Sequence, residues 1–93
     1  MMISLKKFGE VLVSRPAGKE AFLAMSAYNL RDVTATESIE IDFEGVKVLA
    51  PSWADEVITP LAKHFQNVTL LHTENVSVQA TLKTLREYSG LRV

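Results

Sequence analysis

Apolar and polar residues alternate over the segment from Ile39 to Phe43, so three large apolar side chains share one face of an extended chain. The pattern predicts a half-buried strand over these residues, and Gly45 predicts a turn after it. We predict that a helix then begins at Ser52. A serine followed three residues later by an acid, here Asp55, is typical of an N-terminal capping box.

The chain before this strand contains two further strand patterns and one helical pattern. Short strands are predicted over Ile3–Phe8 and Glu10–Ser14, joined at Gly9. Apolar residues at helical spacing then predict a helix from Pro16 to about Leu30, with Ser14 as its cap. A proline suits the first turn of a helix, where the missing N–H has no partner to lose.

The chain after Ser52 carries an amphipathic helix, a strand and another helix. Pro60 lies inside the first of these helices and predicts a kink or a pause, because it removes one backbone hydrogen bond. A strand is predicted over Val68–His72. Asn75 or Ser77 is expected to cap the last helix, and Gly90 is a plausible stop signal.

Strands that alternate with helices require crossover connections, which favour parallel pairing. The sequence therefore predicts a single α/β domain spanning residues 1–93. We expect a mostly parallel or mixed four-stranded sheet covered by about three helices. No linker, repeat or low-complexity segment divides the chain.

The composition is that of an ordinary globular protein, with 47% hydrophobic and 23% charged residues. The 10 basic and 11 acidic side chains are scattered and give a formal net charge of −1. We expect no nucleic-acid partner, because binding a phosphate backbone needs clustered lysine and arginine.

Three further absences concern location and chemistry. No apolar run is long enough to span a bilayer. The N-terminal segment is too short and too charged for a signal peptide. We therefore expect a cytoplasmic protein with no membrane partner. The chain has no cysteine, which excludes disulfides and thiolate chemistry.

Catalytic and metal chemistry find little support in the sequence. His64 and His72 lie on different predicted elements, with no carboxylate at a spacing that joins them into a metal site. We expect His64 at the surface and His72 hydrogen-bonded to a neighbour. Ser52, His72 and Asp42 are the residue types of a hydrolase triad, but three such common residues meet that description by chance. We predict no catalytic residue, no metal and no cofactor.

The residues around the start of the second helix each allow two interpretations. The Ser52 hydroxyl could cap the helix or be the point at which the protein is switched. Asp55 and Glu56 would stabilise the first helical turn through the helix dipole. Trp53 is a core anchor or an exposed aromatic for a partner. Arg15 binds a carboxylate in the fold or an acidic group of a partner.

The run from Asp42 to Glu56 resembles the central motif of STAS domains, the fold of anti-sigma-factor antagonists. An acidic strand end, a Gly-Val turn and a serine opening a helix carry this likeness. More closely, the run is similar to a bacterial STAS-like family of unassigned function, whose helix opens with Ser-aromatic-Ala-Asp-Glu. The upstream pair Ser14-Arg15 is similar as well.

The resemblance implies a non-enzymatic regulatory module. In STAS antagonists the serine that opens this helix is phosphorylated by a partner kinase of the GHKL ATPase type, and the matching position here is Ser52. This chain departs from the antagonists at Ala50, Pro51 and Trp53, where they carry an acidic residue, a first serine and a glycine. Partner binding tolerates these departures better than phosphorylation does.

Two functions follow from the resemblance. The leading hypothesis is a partner-switching module that docks a protein, possibly a GHKL-type ATPase, through the Gly45–Glu56 loop and helix start. Its expected partner-binding residues are Arg15, Gly45, Pro51, Ser52, Trp53, Asp55 and Glu56. The alternative is a sensor that binds a small anion or nucleotide in the pocket of the same loop.

Overall fold

The computed structural model describes all 93 residues, from Met1 to Val93. Its α-helices are α1 (Arg15–Tyr28), α2 (Pro51–His64) and α3 (Val76–Tyr88). Its strands are β1 (Met2–Ser4), β2 (Val11–Leu12), β3 (Ser38–Asp42), β4 (Val48–Leu49) and β5 (Asn67–Leu71). The predicted α/β class and its three helices are confirmed. None of the helices is both long and apolar enough to cross a membrane.

The strands form two parallel sheets. One has the order β1-β3-β5, and the other pairs β2 with β4. In the larger sheet Ile41 stands between Ile3 and Leu70 in register. Parallel pairing is therefore confirmed, with five short strands in place of the predicted four.

The prediction for the first strand was wrong beyond Ser4. The chain leaves β1 for a short 3-10 helix over Leu5–Phe8 and then turns at Gly9, whose φ is 132°. This turn places the fully buried Leu5 in the core. β4 escaped prediction because its two residues are too few to show an alternating pattern.

The core lies between the sheet and the helices and contains 20 buried hydrophobic residues. Ile39 and Ile41 of β3 are fully buried, as the alternation predicted. α1 and α2 approach closely at Gly18, where an added Cβ would lie 2.8 Å from the Trp53 carbonyl oxygen. The glycine is thus required by helix packing.

The predicted cap of α2 was wrong by two residues, and the helix begins one residue before Ser52. Ala50 is the N-cap, Pro51 occupies the first helical position, and no side chain caps this helix end. Ser52 therefore forms no capping box with Asp55. The physical reason is that proline is favoured at the first position of a helix. The helix also continues through Pro60 to His64.

The other helix signals were correct. Ser14 caps α1 by accepting a hydrogen bond from the Ala17 N–H at 3.2 Å. Asn75, the first of the two alternatives, caps α3 by accepting from the Val78 N–H at 3.1 Å. Gly90 follows the end of α3 with a φ of 71°, a left-handed conformation that suits a helix stop.

Candidate functional site

Arg15, at the start of α1, forms an ion-pair network with two acids of α2. Its Nη1 donates to Glu56 Oε1 at 2.7 Å and to Asp55 Oδ2 at 3.2 Å. Thr59 Oγ1 donates to the other oxygen of Asp55 at 2.9 Å. Of the two interpretations of Arg15, the fold uses the first, since its partners are carboxylates of this chain.

The network shifts the ionisation of its members. The hydrogen bonds to Glu56 and Asp55 raise the pKa of Arg15 above its usual value. Burial acts to raise the pKa of Asp55, but hydrogen bonds from Ser89, Thr59 and Arg15 outweigh it and hold the pKa below its usual value. Asp55 is therefore ionised at neutral pH.

The two acids lie farther into α2 than the sequence predicted. Because the helix begins at Pro51, Asp55 and Glu56 belong to its second turn, and the first turn contains no acid. Their predicted role in stabilising the first turn is therefore wrong. They join α1 to α2 instead.

Ser52 lies in the first turn of α2 and bonds outside its own helix. Its Oγ donates to the carbonyl oxygen of Val13 at 2.9 Å. Ser52 also lines a surface depression of about 420 Å³, which we call the α2-start depression. Its lining residues are Arg15, Pro51, Ser52, Asp55, Thr84, Leu85 and Ser89.

Three residues of the predicted docking set, Gly45, Trp53 and Glu56, do not line this depression, although Glu56 contacts Arg15 beside it. Trp53 is 1% exposed and packs in the core beside Phe8, with ring centroids 6.4 Å apart. The interface interpretation of Trp53 is corrected accordingly, because its side chain has almost no surface to offer. Gly45 sits in the turn after β3 with a φ of 83°, next to the Lys6 side chain.

The segment that contains β3 and α2 also carries a family signature. Residues 28–80 match the model of a STAS-like domain of unknown function (DUF4325). The chain belongs to this STAS-like family. No curated protein and no solved structure shows significant similarity to this chain. STAS-like membership indicates a regulatory module.

The STAS-like domain brings a second group of polar side chains together at the ends of β3 and β5. His72 Nδ1 and Asp42 Oδ1 are 2.7 Å apart, and the same oxygen accepts from the Glu44 N–H at 3.0 Å. The predicted hydrogen bond of His72 to a neighbour is confirmed. Because a carboxylate only accepts, Nδ1 of His72 is the donor.

These contacts favour the charged forms of both groups. The Glu44 backbone N–H and, after it, His72 hold the pKa of Asp42 below its usual value. The hydrogen bond to Asp42 raises the pKa of His72, with smaller contributions from Glu44 and Glu74.

Ser52 takes no part in this pair, because its hydroxyl donates to Val13. The structure therefore does not form the Ser52-His72-Asp42 triad.

Sequence reasoning missed that His72 would meet two carboxylates. Asp42 is paired in register with Leu71, so His72 follows directly beside it on the neighbouring strand. An acidic pair two residues apart at a strand end was a usable signal. The missing information was the register between β3 and β5, which no local pattern provides.

Proposed function

We propose that this STAS-like domain is a non-enzymatic regulatory module that binds a protein partner at the α2-start depression. The observation that carries the proposal is that Ser52, Arg15 and Asp55 line one depression. Ser52 is the position that matches the modified serine of STAS antagonists. The charged side chains of Arg15 and Asp55 beside Ser52 support a recognition role for this surface.

The surface is held in place before any partner arrives. Arg15 contacts both Asp55 and Glu56, and Thr59 holds Asp55 from the next turn. Side chains that are already ordered lose little conformational entropy on binding, which favours affinity. The side chains of Asp55 and Glu56 remain 30% and 22% exposed. Two acids against one arginine favour a partner that brings a cationic group.

Ser52 is proposed as a phosphorylation site within this surface. Its hydroxyl proton forms the bond to Val13, so a phosphoryl group on Oγ would remove that bond. The added charge of about −1.5 to −2 would lie in the same depression as Arg15. No side chain caps α2, so the backbone N–H groups of its first turn are free to donate hydrogen bonds to an anion. Asp55 and Glu56 lie three and four residues after Ser52 on the same face of α2, so their carboxylates would repel a phosphate, and Arg15 would have to offset this repulsion.

The proposed partner is an ATPase of the GHKL type, because kinases of this type act on the serine of STAS antagonists. The binding test uses the purified full chain immobilised for interferometry against GHKL ATPases encoded in the same genome. Ser52→Glu and Arg15→Ala should each weaken binding at least about tenfold, equivalent to about 1.4 kcal/mol. The matched control is Tyr28→Ser, at the opposite end of α1, where the tyrosine is 84% exposed.

Intact mass after incubation with the bound ATPase and ATP should show one added phosphate, absent from Ser52→Ala. Thermal melting of each variant separates lost binding from lost folding. Binding that survives both Ser52→Glu and Arg15→Ala would contradict the proposed surface. Equal loss in Tyr28→Ser would contradict it as well.

The alternative, a sensor of a small anion or nucleotide, has less support. Arg15 is the one cation that lines the depression, and it is already paired with two carboxylates. Thermal shift with inorganic phosphate and with ATP tests this alternative, because a ligand that binds only the folded state raises its stability. A saturable rise that Arg15→Ala removes would favour the sensor over the docking module.

A further inference from the structure

Three metal-ligating side chains meet at the carboxyl edge of the three-stranded sheet. Asp42, Glu44 and His72 each offer one ligand atom, and these atoms all lie within 4.8 Å of one another. Parallel pairing in register brings the end of β3 next to the end of β5 at this edge. The cluster is separate from the residues that line the α2-start depression.

The backbone fixes the positions of the three residues. Asp42 ends β3 and is paired with Leu71, so His72 comes next to it at the end of β5. Glu44 is held in the following turn by its N–H, which donates to Asp42 Oδ1 at 3.0 Å. The side chains thus start from anchored backbone positions on two neighbouring strands and one tight turn.

The charges in this cluster do not balance. The side chain of Asp42 is only 9% exposed, and its contacts are the Glu44 N–H and His72. The Glu44 carboxylate forms no hydrogen bond and no ion pair, and Glu74 adds a third acid close enough to act on His72. No lysine or arginine pairs with any of the three acids. A bound cation would neutralise this excess of negative charge.

We propose that Asp42, Glu44 and His72 bind a divalent transition-metal ion of the zinc class. Imidazole nitrogen and carboxylate oxygen are ligands that zinc accepts, and two carboxylates match its charge of two. Tetrahedral zinc with bonds of about 2.0–2.2 Å places its ligand atoms about 3.3–3.6 Å apart, so the 2.7 Å contact between His72 and Asp42 opens slightly when the ion binds. Rotation of the exposed Glu44 side chain closes the remaining gap. The ion takes the place of the proton that joins His72 to Asp42, and a fourth position stays open to water.

The test titrates zinc chloride into the untagged full chain and follows binding by calorimetry and by thermal shift. We expect one saturable site per chain and a melting temperature that rises with zinc concentration. Cobalt chloride serves as a second probe. Bound cobalt should show the visible absorption of a four-coordinate site.

Two variants remove ligands without disturbing the backbone. His72→Asn keeps a residue type that tolerates the φ of 57° found at this position. Glu44→Gln removes the charge of an exposed side chain. Each should weaken zinc binding about tenfold or more. His64→Asn, which removes the other histidine, should bind zinc as the unaltered chain does.

Melting temperatures in EDTA show whether each variant is folded before zinc is added. The absence of a saturable site, or equal zinc affinity in His72→Asn, would overturn the proposal. Equal losses in His64→Asn and His72→Asn would indicate adventitious binding by surface histidines and would also overturn it. Partner binding measured in EDTA tests the docking function separately, so either proposal can fail alone.

Discussion

The Ser52 hydroxyl donates a 2.9 Å hydrogen bond to the carbonyl oxygen of Val13, 39 residues earlier in the chain. The bond joins the start of α2 to the segment that connects β2 with α1. A serine that reads as a local helix cap in the sequence thus forms a tertiary contact. Any change at Ser52 acts on the junction of α1 and α2, beside the proposed docking surface.

Replacing Ser52 with alanine should lower the free energy of unfolding by about 0.5–1.5 kcal/mol, the net value of one hydrogen bond. Urea denaturation measures the change. The Val13 carbonyl can reach water once the hydroxyl is gone, which favours the lower end of this range. Ser14→Ala is the comparison, because it removes a true N-cap and should cost about 0.5–2 kcal/mol. A loss above about 2 kcal/mol for Ser52→Ala would contradict the single-bond interpretation.

Replacing Ala50 with serine should raise the free energy of unfolding by about 0.5–1 kcal/mol. Ala50 is the N-cap of α2 and has the extended backbone of a capping residue, with φ −97° and ψ 150°. A serine there can accept a hydrogen bond from a free N–H of the first turn. Urea denaturation again provides the measurement. Ala17→Ser, an exposed substitution inside α1, serves as control and should give no increase. An unchanged midpoint in Ala50→Ser would argue that α2 begins elsewhere.

Replacing Gly18 with alanine should destabilise the domain by about 1–3 kcal/mol, the usual cost of overpacking. The new Cβ would lie 2.8 Å from the Trp53 carbonyl oxygen and 3.1 Å from Glu56 Cβ, so α1 and α2 must move apart. In an open helix the same change would stabilise, because alanine has the higher helix propensity. Thermal melting of Gly18→Ala beside Lys19→Ala, on the exposed side of α1, distinguishes the two effects. A rise in melting temperature for Gly18→Ala would show that the helices are not in close contact.

The stability of the domain should fall in acid partly through Asp55. Its folded pKa lies below the unfolded value of about 3.9, so its contribution is fully present above that value. The contribution is lost as the pH falls through the folded pKa, because protonation weakens the contacts with Arg15. Urea midpoints should be measured between about pH 2 and pH 6, a range that spans the pKa values of carboxyl groups. As the pH falls, Asp55→Asn should lose less stability than the unaltered chain.

The acid limb needs a control, because Asp42 also has a lowered pKa and contributes in the same direction. Asp32→Asn, in the exposed loop after α1, should follow the unaltered chain at every pH. If Asp55→Asn and the unaltered chain lose stability in parallel, the Arg15 network does not contribute to stability at neutral pH.

Local signals were enough to predict the elements that form most of this fold. The alternation around Ile41 identified β3, and the side chains of Ser14 and Asn75 identified two helix starts. These signals succeed because they act within a few residues, through backbone conformation and one short hydrogen bond. The error at Ser52 is also local, because the neighbouring Pro51 favours the first helical position and the helix therefore begins there.

Short elements and long-range partners required the tertiary structure. The strands β2 and β4 have two residues each, and they form only because they pair with each other. The partners of Arg15 lie 40 and 41 residues away, and the partner of His72 lies 30 residues away. Their pairing depends on the register of β3 with β5 and on the packing of α1 against α2.

The sequence alone determined the STAS-like fold class, the place of Ser52 at a helix start and the groups available for chemistry. Only the folded chain decided which of those groups meet. Trp53 lies in the core because burying a large aromatic surface is favourable. Arg15, Asp55 and Glu56 were joined instead, since two helices in close contact bring distant charges within hydrogen-bonding distance.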